Sequence, residues 1–351
     1  MVYIKKKFEG DDMRVAMYYN NHDIRLQEMP IPEIREKEIL LKVFASGICG
    51  SDVMEWYRLK KAPCVLGHEV AGIIEKVGKK VKKFRKGDRV FVTHHVPCEK
   101  CEYCKSGNEN VCETLRTTNF YPGGFAEYIR VPEINVKKGV FRIPKNISFE
   151  EATFIEPLGC VVRGQNKIEI KKGHVVLVLG SGMAGLLHIQ LAKLKGAKVI
   201  AIDVNEFRMR MAKKLGADLV LNANENVAER VKNFAGKLAD RVIVSTGAVS
   251  AISQAFDCVE KGGKILFFAP TDPNVKIPLP FNDFWFKGVS IETTYAAAPK
   301  DLKTALALLK NKKIKVKPMI THLLPLSETQ KGFALVIDGR ESLKVIIQPN
   351  K

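Results

Sequence analysis

The first part of the chain alternates apolar and polar residues in short runs, and glycine or proline stands at most junctions between these runs. Such alternation is typical of half-buried β-strands, because successive side chains of a strand point to opposite faces. The pattern therefore predicts a β-rich domain up to about residue 155. Its clearest predicted strands are 39–46, 70–77, 89–93 and 126–131.

The pattern changes at residue 174, where apolar runs begin to alternate with segments of helical period. A predicted helix at 184–195 follows the first apolar run, and Gly196 ends it. Alternating strands and helices pack most economically as a doubly wound parallel sheet. We therefore predict an α/β fold whose sheet has six strands, at 175–179, 199–203, 219–221, 242–245, 265–269 and 289–292.

The elements after about residue 298 are too small to form a domain of their own. They comprise a predicted helix at 302–309 and a strand at 344–347, which we expect to return to the first domain. The predicted division is a β-rich first domain of residues 1–160, completed by 299–351, and an α/β second domain of residues 161–298. Met13 is a more typical domain start than Met1, so residues 1–12 are interpreted as an extension or a wrongly assigned start.

Length and composition agree with this division, since 351 residues fit about two domains of roughly 150 residues. The 46% hydrophobic and 27% charged fractions are those of a soluble globular protein, which excludes extensive disorder. No stretch approaches the roughly 18 apolar residues of a membrane helix. The N-terminus lacks the apolar core of a signal peptide, so we expect a cytoplasmic protein without a membrane partner.

The formal net charge of +19 raises the question of a nucleic-acid partner. The lysines occur in short scattered runs without interleaved aromatic residues or a recognisable binding module. We therefore expect a solvated basic surface and no nucleic acid, while an anionic substrate stays open. A zinc-ribbon protein that binds nucleic acid is the alternative from another functional class, and salt-sensitive retention on DNA would favour it.

A short segment carries four cysteines whose spacing is that of a zinc cage. Two residues separate each of the first three, and seven precede the last: Cys98, Cys101, Cys104 and Cys112. Thiolates at this spacing can reach one tetrahedral centre from a tight turn and a short returning loop, which leaves no position for water. In a reducing compartment this spacing favours metal over disulfides. The segment predicts a structural zinc site.

Three other cysteines, Cys64, Cys160 and Cys258, are interpreted as small buried apolar residues. Cys160 lies four residues after Glu156 and could instead approach a metal there. A second set of metal-type residues is scattered over a hundred positions, and spacing alone does not establish a site from it. This set is Cys49, His68, Glu69 and Glu156.

A glycine-rich loop of pattern GxGxxG stands between the first strand and helix of the second domain, at Gly180, Ser181, Gly182, Met183, Ala184 and Gly185. Gly180 permits a tight turn, Gly182 lets the backbone approach a pyrophosphate, and Gly185 lets the helix pack against the strand. The start of the helix also offers unpaired N–H groups to phosphates. The loop therefore predicts a dinucleotide site.

Asp203 ends the second strand of that domain, where a carboxylate can accept from the adenine-ribose hydroxyls. A carboxylate there repels a 2′-phosphate, so NAD is expected in preference to NADP. Arg208 and Arg210 on the next helix count toward NADP, since a neighbouring arginine is the usual partner of that phosphate. Thr246, directly after the strand at 242–245, is a further expected cofactor contact.

Several motifs together resemble the zinc-containing medium-chain alcohol dehydrogenases. GHEVAGIIEKVGKKV (67–81) fits the pattern GHE-x2-G-x5-G-x2-V, and CGSD (49–52), GDRV (87–90) and GGFAEY (123–128) fall in the family's order. The similarity extends over nearly the whole chain. IEPLG (155–159) is most similar to the polyol (sorbitol or iditol) and L-threonine dehydrogenase branch. The resemblance implies a GroES-like catalytic domain and a Rossmann NAD-binding domain.

The resemblance also implies roles for individual residues. Cys49 and His68 match catalytic zinc ligands, and Glu156 matches the third protein ligand, where ethanol-type enzymes have cysteine. Glu69 matches an acid that binds the metal directly in some members and not in others. Ser51 matches the hydroxyl that passes the alcohol proton outward.

Asp52 matches a carboxylate that orients the histidine ligand. Three positions bear on how closely the pattern is followed. Met54 stands where related enzymes often carry a histidine, so this chain departs from the family's pattern in the outer part of the proton path. Glu99 replaces a common glycine in the structural zinc loop, and we expect this change to be harmless. His95 resembles a histidine that threonine-type enzymes place near the substrate, or else is a loop residue.

The implied reaction is oxidation of a secondary alcohol with hydride transfer to NAD+, supported by two zinc ions per subunit. The expected substrate is a polyol, sugar alcohol or sugar acid, and L-threonine 3-dehydrogenase-like oxidation of an amino alcohol is the alternative. A zinc-free quinone reductase of the same superfamily is disfavoured because the metal-type residues are present. Members are commonly homodimers or homotetramers, so we expect a homo-oligomer.

Overall fold

The computed structural model describes residues 12–351, which form two compact units. The first unit contains the described residues up to Gly107, then Val111–Phe154 and Ile320–Lys351. The second contains Asn108–Asn110 and Ile155–Met319. The predicted extension at residues 1–12 therefore lies outside the described residues, except for residue 12.

The strands are, in chain order, β1 (Asp12–Asn20), β2 (Asp23–Pro30), β3 (Ile39–Gly47), β4 (Cys64–Val65), β5 (Glu69–Val77), β6 (Arg89–Thr93), β7 (Tyr128–Val131), β8 (Val140–Arg142), β9 (Val175–Leu179), β10 (Lys198–Asp203), β11 (Leu219–Asn222), β12 (Ala239–Val244), β13 (Val259–Phe267), β14 (Ser290–Thr293), β15 (Ile320–Pro325) and β16 (Lys344–Gln348).

The α-helices are α1 (Glu55–Arg58), α2 (Glu102–Lys105), α3 (Glu113–Thr117), α4 (Glu133–Lys138), α5 (Phe149–Ala152), α6 (Ile155–Lys167), α7 (Met183–Leu194), α8 (Glu206–Lys214), α9 (Val227–Ala235), α10 (Val249–Cys258), α11 (Phe281–Lys287), α12 (Pro299–Lys310) and α13 (Thr329–Asp338). Within the described part of the chain, none of them combines the length and the apolar character needed to cross a bilayer.

The first unit is built on two sheets, of order β2-β1-β4 and β15-β16-β3-β5-β6-β8, and β7 also pairs with β3. The C-terminal strand β16 pairs antiparallel with β3, so that Ile346 lies opposite Gly47. Strand β3 pairs antiparallel with β5, so that Gly47 lies opposite Glu69. The end of β3, the start of β5 and the start of β16 therefore belong to neighbouring strands of one sheet.

The second unit confirms the predicted doubly wound parallel sheet. Its six strands pair in the order β11-β10-β9-β12-β13-β14, and each of the pairings is parallel. Numbered along the unit, this is the order 3-2-1-4-5-6, which reverses between β9 and β12. All five residues of β9 are buried, which explains why its sequence is a continuous apolar run. A ligand site is expected at the carboxyl ends of the strands beside the reversal.

The units divide at Phe154 and Met319, and not at the predicted residues 160 and 298. Residues 155–160 belong to the second unit because they form the first turns of α6. Helix α12 packs on α6, where a Cβ on Gly159 would lie only 2.7 Å from the Leu302 side chain. This close approach holds residues 299–319 in the second unit.

The short segment Asn108–Asn110 also belongs to the second unit, because Arg163 on α6 holds it. Arg163 Nη1 lies 2.9 Å from Glu109 Oε2, and Lys300 Nζ lies 2.7 Å from Glu109 Oε1. Arg163 and Glu109 are buried, so each charge needs the other. The sequence contains no local signal for this attachment, since 54 positions separate the two residues.

Candidate metal centres and nucleotide loop

One group of metal-type side chains forms where β3 ends and β5 begins. Cys49 follows the end of β3 by two residues, His68 directly precedes β5, and Glu69 is its first residue. Because Gly47 and Glu69 are register partners, these positions lie side by side. One ligand atom from each of the three side chains lies within 4.8 Å of the others.

Glu156, the fourth predicted ligand of this centre, belongs to the second unit. It lies in the first turn of α6, where it is buried and Cys160 Sγ donates to its Oε1 at 3.5 Å. The structure therefore brings together three of the four predicted ligands within one unit, and Glu156 stays a predicted ligand.

Glu69 forms an ion pair with Lys344, and both side chains are completely buried. The Lys344 ammonium donates to Glu69 Oε2, and it also lies 5.5 Å from the ring centre of Phe154. A Cβ on Gly47 would overlap both side chains, so glycine is needed there to make room for the pair. Sequence reasoning missed Lys344, although a lysine that opens an apolar terminal strand was a visible signal.

The second carboxylate oxygen of Glu69, Oε1, is buried and has no hydrogen-bond partner among the described residues. A buried carboxylate oxygen without a partner is costly, because burial removes its hydration. Thiolate, imidazole and carboxylate are the donors that Zn²⁺ accepts in proteins. The donor set and the unpartnered oxygen therefore fit a zinc ion at this site.

Asp52 contacts the His68 ring at its Nδ1 atom. Asp52 Oδ1 lies 3.3 Å from His68 Nδ1, and Asp52 Oδ2 accepts from the Cys49 backbone N–H at 3.0 Å. Burial alone would lower the pKa of His68, but the Asp52 carboxylate outweighs it and raises the pKa well above its usual value. Asp52 is thus placed to hold the orientation of the His68 ring.

Two further histidines lie beside this group. The His94 ring centre lies 4.8 Å from that of His68 and 3.6 Å from that of His95. Burial, followed by nearby positive charge, lowers the pKa of His95 to about 3, so this ring is neutral at neutral pH. His94, which sequence analysis did not single out, thus contacts His95, which was predicted either to lie near the substrate or to be a loop residue.

The four cysteines of the predicted cage converge, with their sulfur atoms within 4.8 Å of one another. Cys101 Sγ and Cys104 Sγ are 3.5 Å apart, and Cys98 Sγ and Cys104 Sγ are 3.9 Å apart. Sulfur atoms about 2.3 Å from a tetrahedral zinc ion would be roughly 3.8 Å apart, so the cage fits zinc. Cys258, in contrast, is buried in the apolar core of the second unit.

Glu99 lies within the cage loop in the left-handed conformation, with φ of 64°. This conformation explains why glycine is common at the position. Lys138 compensates in part, because its Nζ lies 2.9 Å from Glu99 Oε2 and donates to the Cys98 carbonyl at 3.0 Å. The expected tolerance of Glu99 is thus consistent with a cage whose four thiols still converge.

The glycine loop lies at the carboxyl end of β9, beside the reversal of strand order. Gly180 has φ of +90°, and a Cβ on Gly185 would lie 1.9 Å from the Gly180 carbonyl oxygen. A Cβ on Gly182, the residue before α7, would meet no atom of residues 12–351 beyond its chain neighbours within 4 Å. The loop therefore leaves open space at Gly182 and close packing at Gly185.

The other predicted cofactor residues surround this loop. Asp203 ends β10, and its Oδ2 accepts from the Ser181 backbone N–H at 2.7 Å. Thr246 follows β12 and lies beside Gly180, 3.2 Å from the position a Cβ would take there. Met183 and Ala184 form the start of α7, and Arg208 lies on α8.

Comparison with known proteins matches two family models along the chain. The alcohol dehydrogenase GroES-like domain matches residues 35–145, and the zinc-binding dehydrogenase model matches residues 184–311. The L-threonine 3-dehydrogenase of Caldanaerobacter subterraneus is 36% identical over 95% of this chain and 98% of its own length. The sorbitol dehydrogenase of Bacillus subtilis is 32% identical over 97% of this chain and 98% of its own length.

Similar solved structures also cover nearly the whole chain. The alcohol dehydrogenase TADH of Thermus sp. ATN1 superposes with a TM-score of 0.85 and 30% identity, covering 96% of this chain and 99% of its own. A protein of Sinorhizobium meliloti bound to NADP has a TM-score of 0.85 and 28% identity, over 97% and 100% of the two chains.

The buried pair of Glu69 and Lys344 predicts an asymmetric effect of substitution. Lys344→Met leaves an uncompensated buried carboxylate and should lower the free energy of unfolding by about 3–5 kcal/mol. The exposed pair of Lys351 with Glu150 is the control, and Lys351→Met should change it by less than about 1 kcal/mol. Denaturant unfolding measures both, and equal losses in the two variants would contradict a buried pair.

The glycine loop predicts that two substitutions separate stability from cofactor binding. Gly185→Ala forces a methyl group against the Gly180 carbonyl and should destabilise the protein by about 1–3 kcal/mol. Gly182→Ala should leave the unfolding midpoint unchanged and weaken binding of NADH, followed by its fluorescence. Undiminished NADH binding by Gly182→Ala would mean that the phosphates do not approach this glycine.

Proposed function

The chain belongs to the zinc-binding alcohol dehydrogenase family, in the branch of sorbitol, D-xylulose and L-threonine enzymes, and we propose that it oxidises a polyol with NAD+. It is thus a zinc-dependent oxidoreductase. The observation that carries the proposal is the group of Cys49, His68 and Glu69, of which Glu69 is buried and has a carboxylate oxygen without a partner among the described residues.

Cys49, His68 and Glu69 would hold the catalytic zinc ion, and Glu156 would be a further ligand. When bound, zinc would polarise the substrate hydroxyl and NAD+ would accept the hydride. Glutamate is a harder donor than the cysteine of ethanol-type enzymes, which favours exchange of ligands at the metal. Asp52 keeps the His68 ring in place, and Ser51 takes the proton from the substrate hydroxyl.

NAD is favoured over NADP by Asp203, which is buried at the end of β10. Its carboxylate accepts from Ser181 and Asn205 backbone N–H groups, which fix it beside the glycine loop. Gly180, Gly182 and Gly185 would shape the pyrophosphate site, with Ser181, Met183, Ala184 and Thr246 around it. Arg208 on α8 is a feature that favours NADP, which is therefore kept as the second candidate cofactor.

L-Threonine is the second candidate substrate. Its support is the pair of His94 and His95, whose neutral rings lie next to His68 and could accept a hydrogen bond from an ammonium group. Neutral imidazoles bind hydroxyl groups equally well, so the two histidines do not displace a polyol as the first candidate. The cytoplasmic location stays a prediction from the sequence.

A homo-oligomer is supported by an exposed apolar surface on the second unit. Strand β14 lies at the edge of the parallel sheet, where an unpaired strand can pair with a second chain. On the adjoining α11, Phe281, Trp285 and Phe286 are each more than two-thirds exposed. Clustered exposed aromatic residues of this kind are typical of protein interfaces.

The substrate proposal is tested by NADH formation with sorbitol, galactitol, a sugar acid and L-threonine in parallel. We expect the highest kcat/KM with a polyol, loss of activity after chelation and recovery with zinc. Asp203→Asn should reduce the preference for NAD over NADP by about 10- to 100-fold, the value of a hydrogen bond to a charged group. Full activity after verified metal removal, or preference for L-threonine, would contradict the proposal.

The oligomer is tested by placing charge on the aromatic surface. A Trp285→Lys, Phe286→Glu double variant should sediment as a smaller species than the unsubstituted protein. Leu26→Glu is the control, since Leu26 is 46% exposed on β2, away from α11 in the chain. An unchanged sedimentation coefficient in the double variant, or an equal change in the control, would count against this surface.

A further inference from the structure

Arg58, at the end of α1, makes hydrogen bonds to both residues that follow the Cys49-Gly50 dipeptide. Its Nη2 donates to Ser51 Oγ at 2.9 Å and to Asp52 Oδ1 at 3.2 Å, and its Nε donates to the Ser51 carbonyl at 2.8 Å. The Arg58 side chain is only 12% exposed. No motif in the sequence pointed to this residue.

The local fold explains how Arg58 reaches these atoms. Residues Gly50–Asp52 form a short 3-10 turn, and α1 begins at Glu55, three residues after Asp52. One helical turn is sufficient to bring the Arg58 side chain back to the Ser51 and Asp52 side chains. Its guanidinium also lies 4.7 Å from the ring centre of Tyr57, which limits its rotation.

The contact restricts what the Ser51 hydroxyl can do. A serine hydroxyl has one proton to donate and two lone pairs, whereas arginine donates only and keeps its charge at any pH of interest. Arg58 occupies one lone pair of Ser51, and it cannot accept the Ser51 proton. The hydroxyl therefore keeps one lone pair for the substrate proton, and its own proton must leave in another direction.

Met54 makes this restriction consequential. Related enzymes often carry a histidine at that position, but methionine can neither take up nor release a proton. The hydroxyl of Ser51 thus depends on the guanidinium for its orientation. A cationic donor also stabilises negative charge that develops on the serine oxygen as it passes its proton onward.

We propose that Arg58 is a positioning residue for proton removal from the substrate, acting through the hydroxyl of Ser51. The inference rests on the proposed function, since it assigns Arg58 to the same reaction. Its bond to Asp52 also connects Arg58 to the His68 ring, so the test has to separate an effect on Ser51 from an effect on the metal.

The test compares Arg58→Met, Arg58→Lys, Ser51→Ala, the double variant of Arg58→Met with Ser51→Ala, and Lys61→Met. Lys61 is the matched control, a neighbouring exposed cation on the turn Leu59–Lys61. The measurements are kcat and KM against pH, zinc content per chain, and the unfolding midpoint. If residues act as one unit, their effects on kcat are not additive.

Arg58→Met should lower kcat by about 10- to 100-fold, within the usual contribution of a positioned proton-transfer group. It should shift the rise of kcat to higher pH while KM for NAD+ and zinc content are unchanged. The double variant should be no slower than Ser51→Ala alone, Arg58→Lys should recover part of kcat, and Lys61→Met should match the unsubstituted protein.

Additive losses in the double variant, or loss of one zinc ion in Arg58→Met, would overturn the proposal, since Arg58 would then act apart from Ser51. If Arg58→Met does not fold, a folded Arg58→Lys with the original kcat profile would overturn it, and a slowed one with retained zinc would support it. A chain without NADH formation from any alcohol would instead refute the proposed function. A Ser51→Ala protein with an unchanged kcat profile would overturn the proposal for Arg58 and leave the proposed function standing.

Discussion

The arrangement of the first unit depends on compensation of the charge of Glu69, whose side chain is completely buried. One carboxylate oxygen is bound by Lys344 from strand β16, and the other has no hydrogen-bond donor in the part of the chain that the structure describes. Neither an isolated carboxylate nor an isolated ammonium is stable without water, so the two strands that carry them must lie close together. The pair thus explains why strand β16 is needed beside the candidate metal centre that residues 49–69 supply.

The same reasoning connects the metal centre to the chemistry. Cys49, His68 and Glu69 lie on neighbouring strand ends, so the register of β3 and β5 fixes their separation before a metal binds. Asp52 holds the His68 ring, and Arg58 holds the Ser51 hydroxyl by a hydrogen bond. In the second unit, the glycine loop lies beside the reversal of strand order, and the close packing of Gly185 against the Gly180 carbonyl fixes the shape of the loop.

The sequence predicted those features whose physics is local. The cysteine cage, the glycine loop and the apolar parallel strands are coded by short spacings, and the six-stranded sheet confirmed the α/β prediction. Lys344 pairs with a residue 275 positions away, and Arg163 holds Glu109 across 54 positions, so no periodicity reveals them. The predicted domain boundaries differed for the same reason, because packing of α12 on α6 is a long-range contact. The role of Glu156 stays a prediction.

The central proposal is that the chain holds zinc at two separate centres, a structural one closed by four thiolates and a catalytic one. Anomalous diffraction from crystals of the protein, recorded on either side of the zinc absorption edge, tests this most directly. The account predicts one peak among Cys98, Cys101, Cys104 and Cys112 and a second peak bounded by Cys49, His68 and Glu69. A single peak, confined to the four-cysteine cage in zinc-replete and active protein, would contradict it.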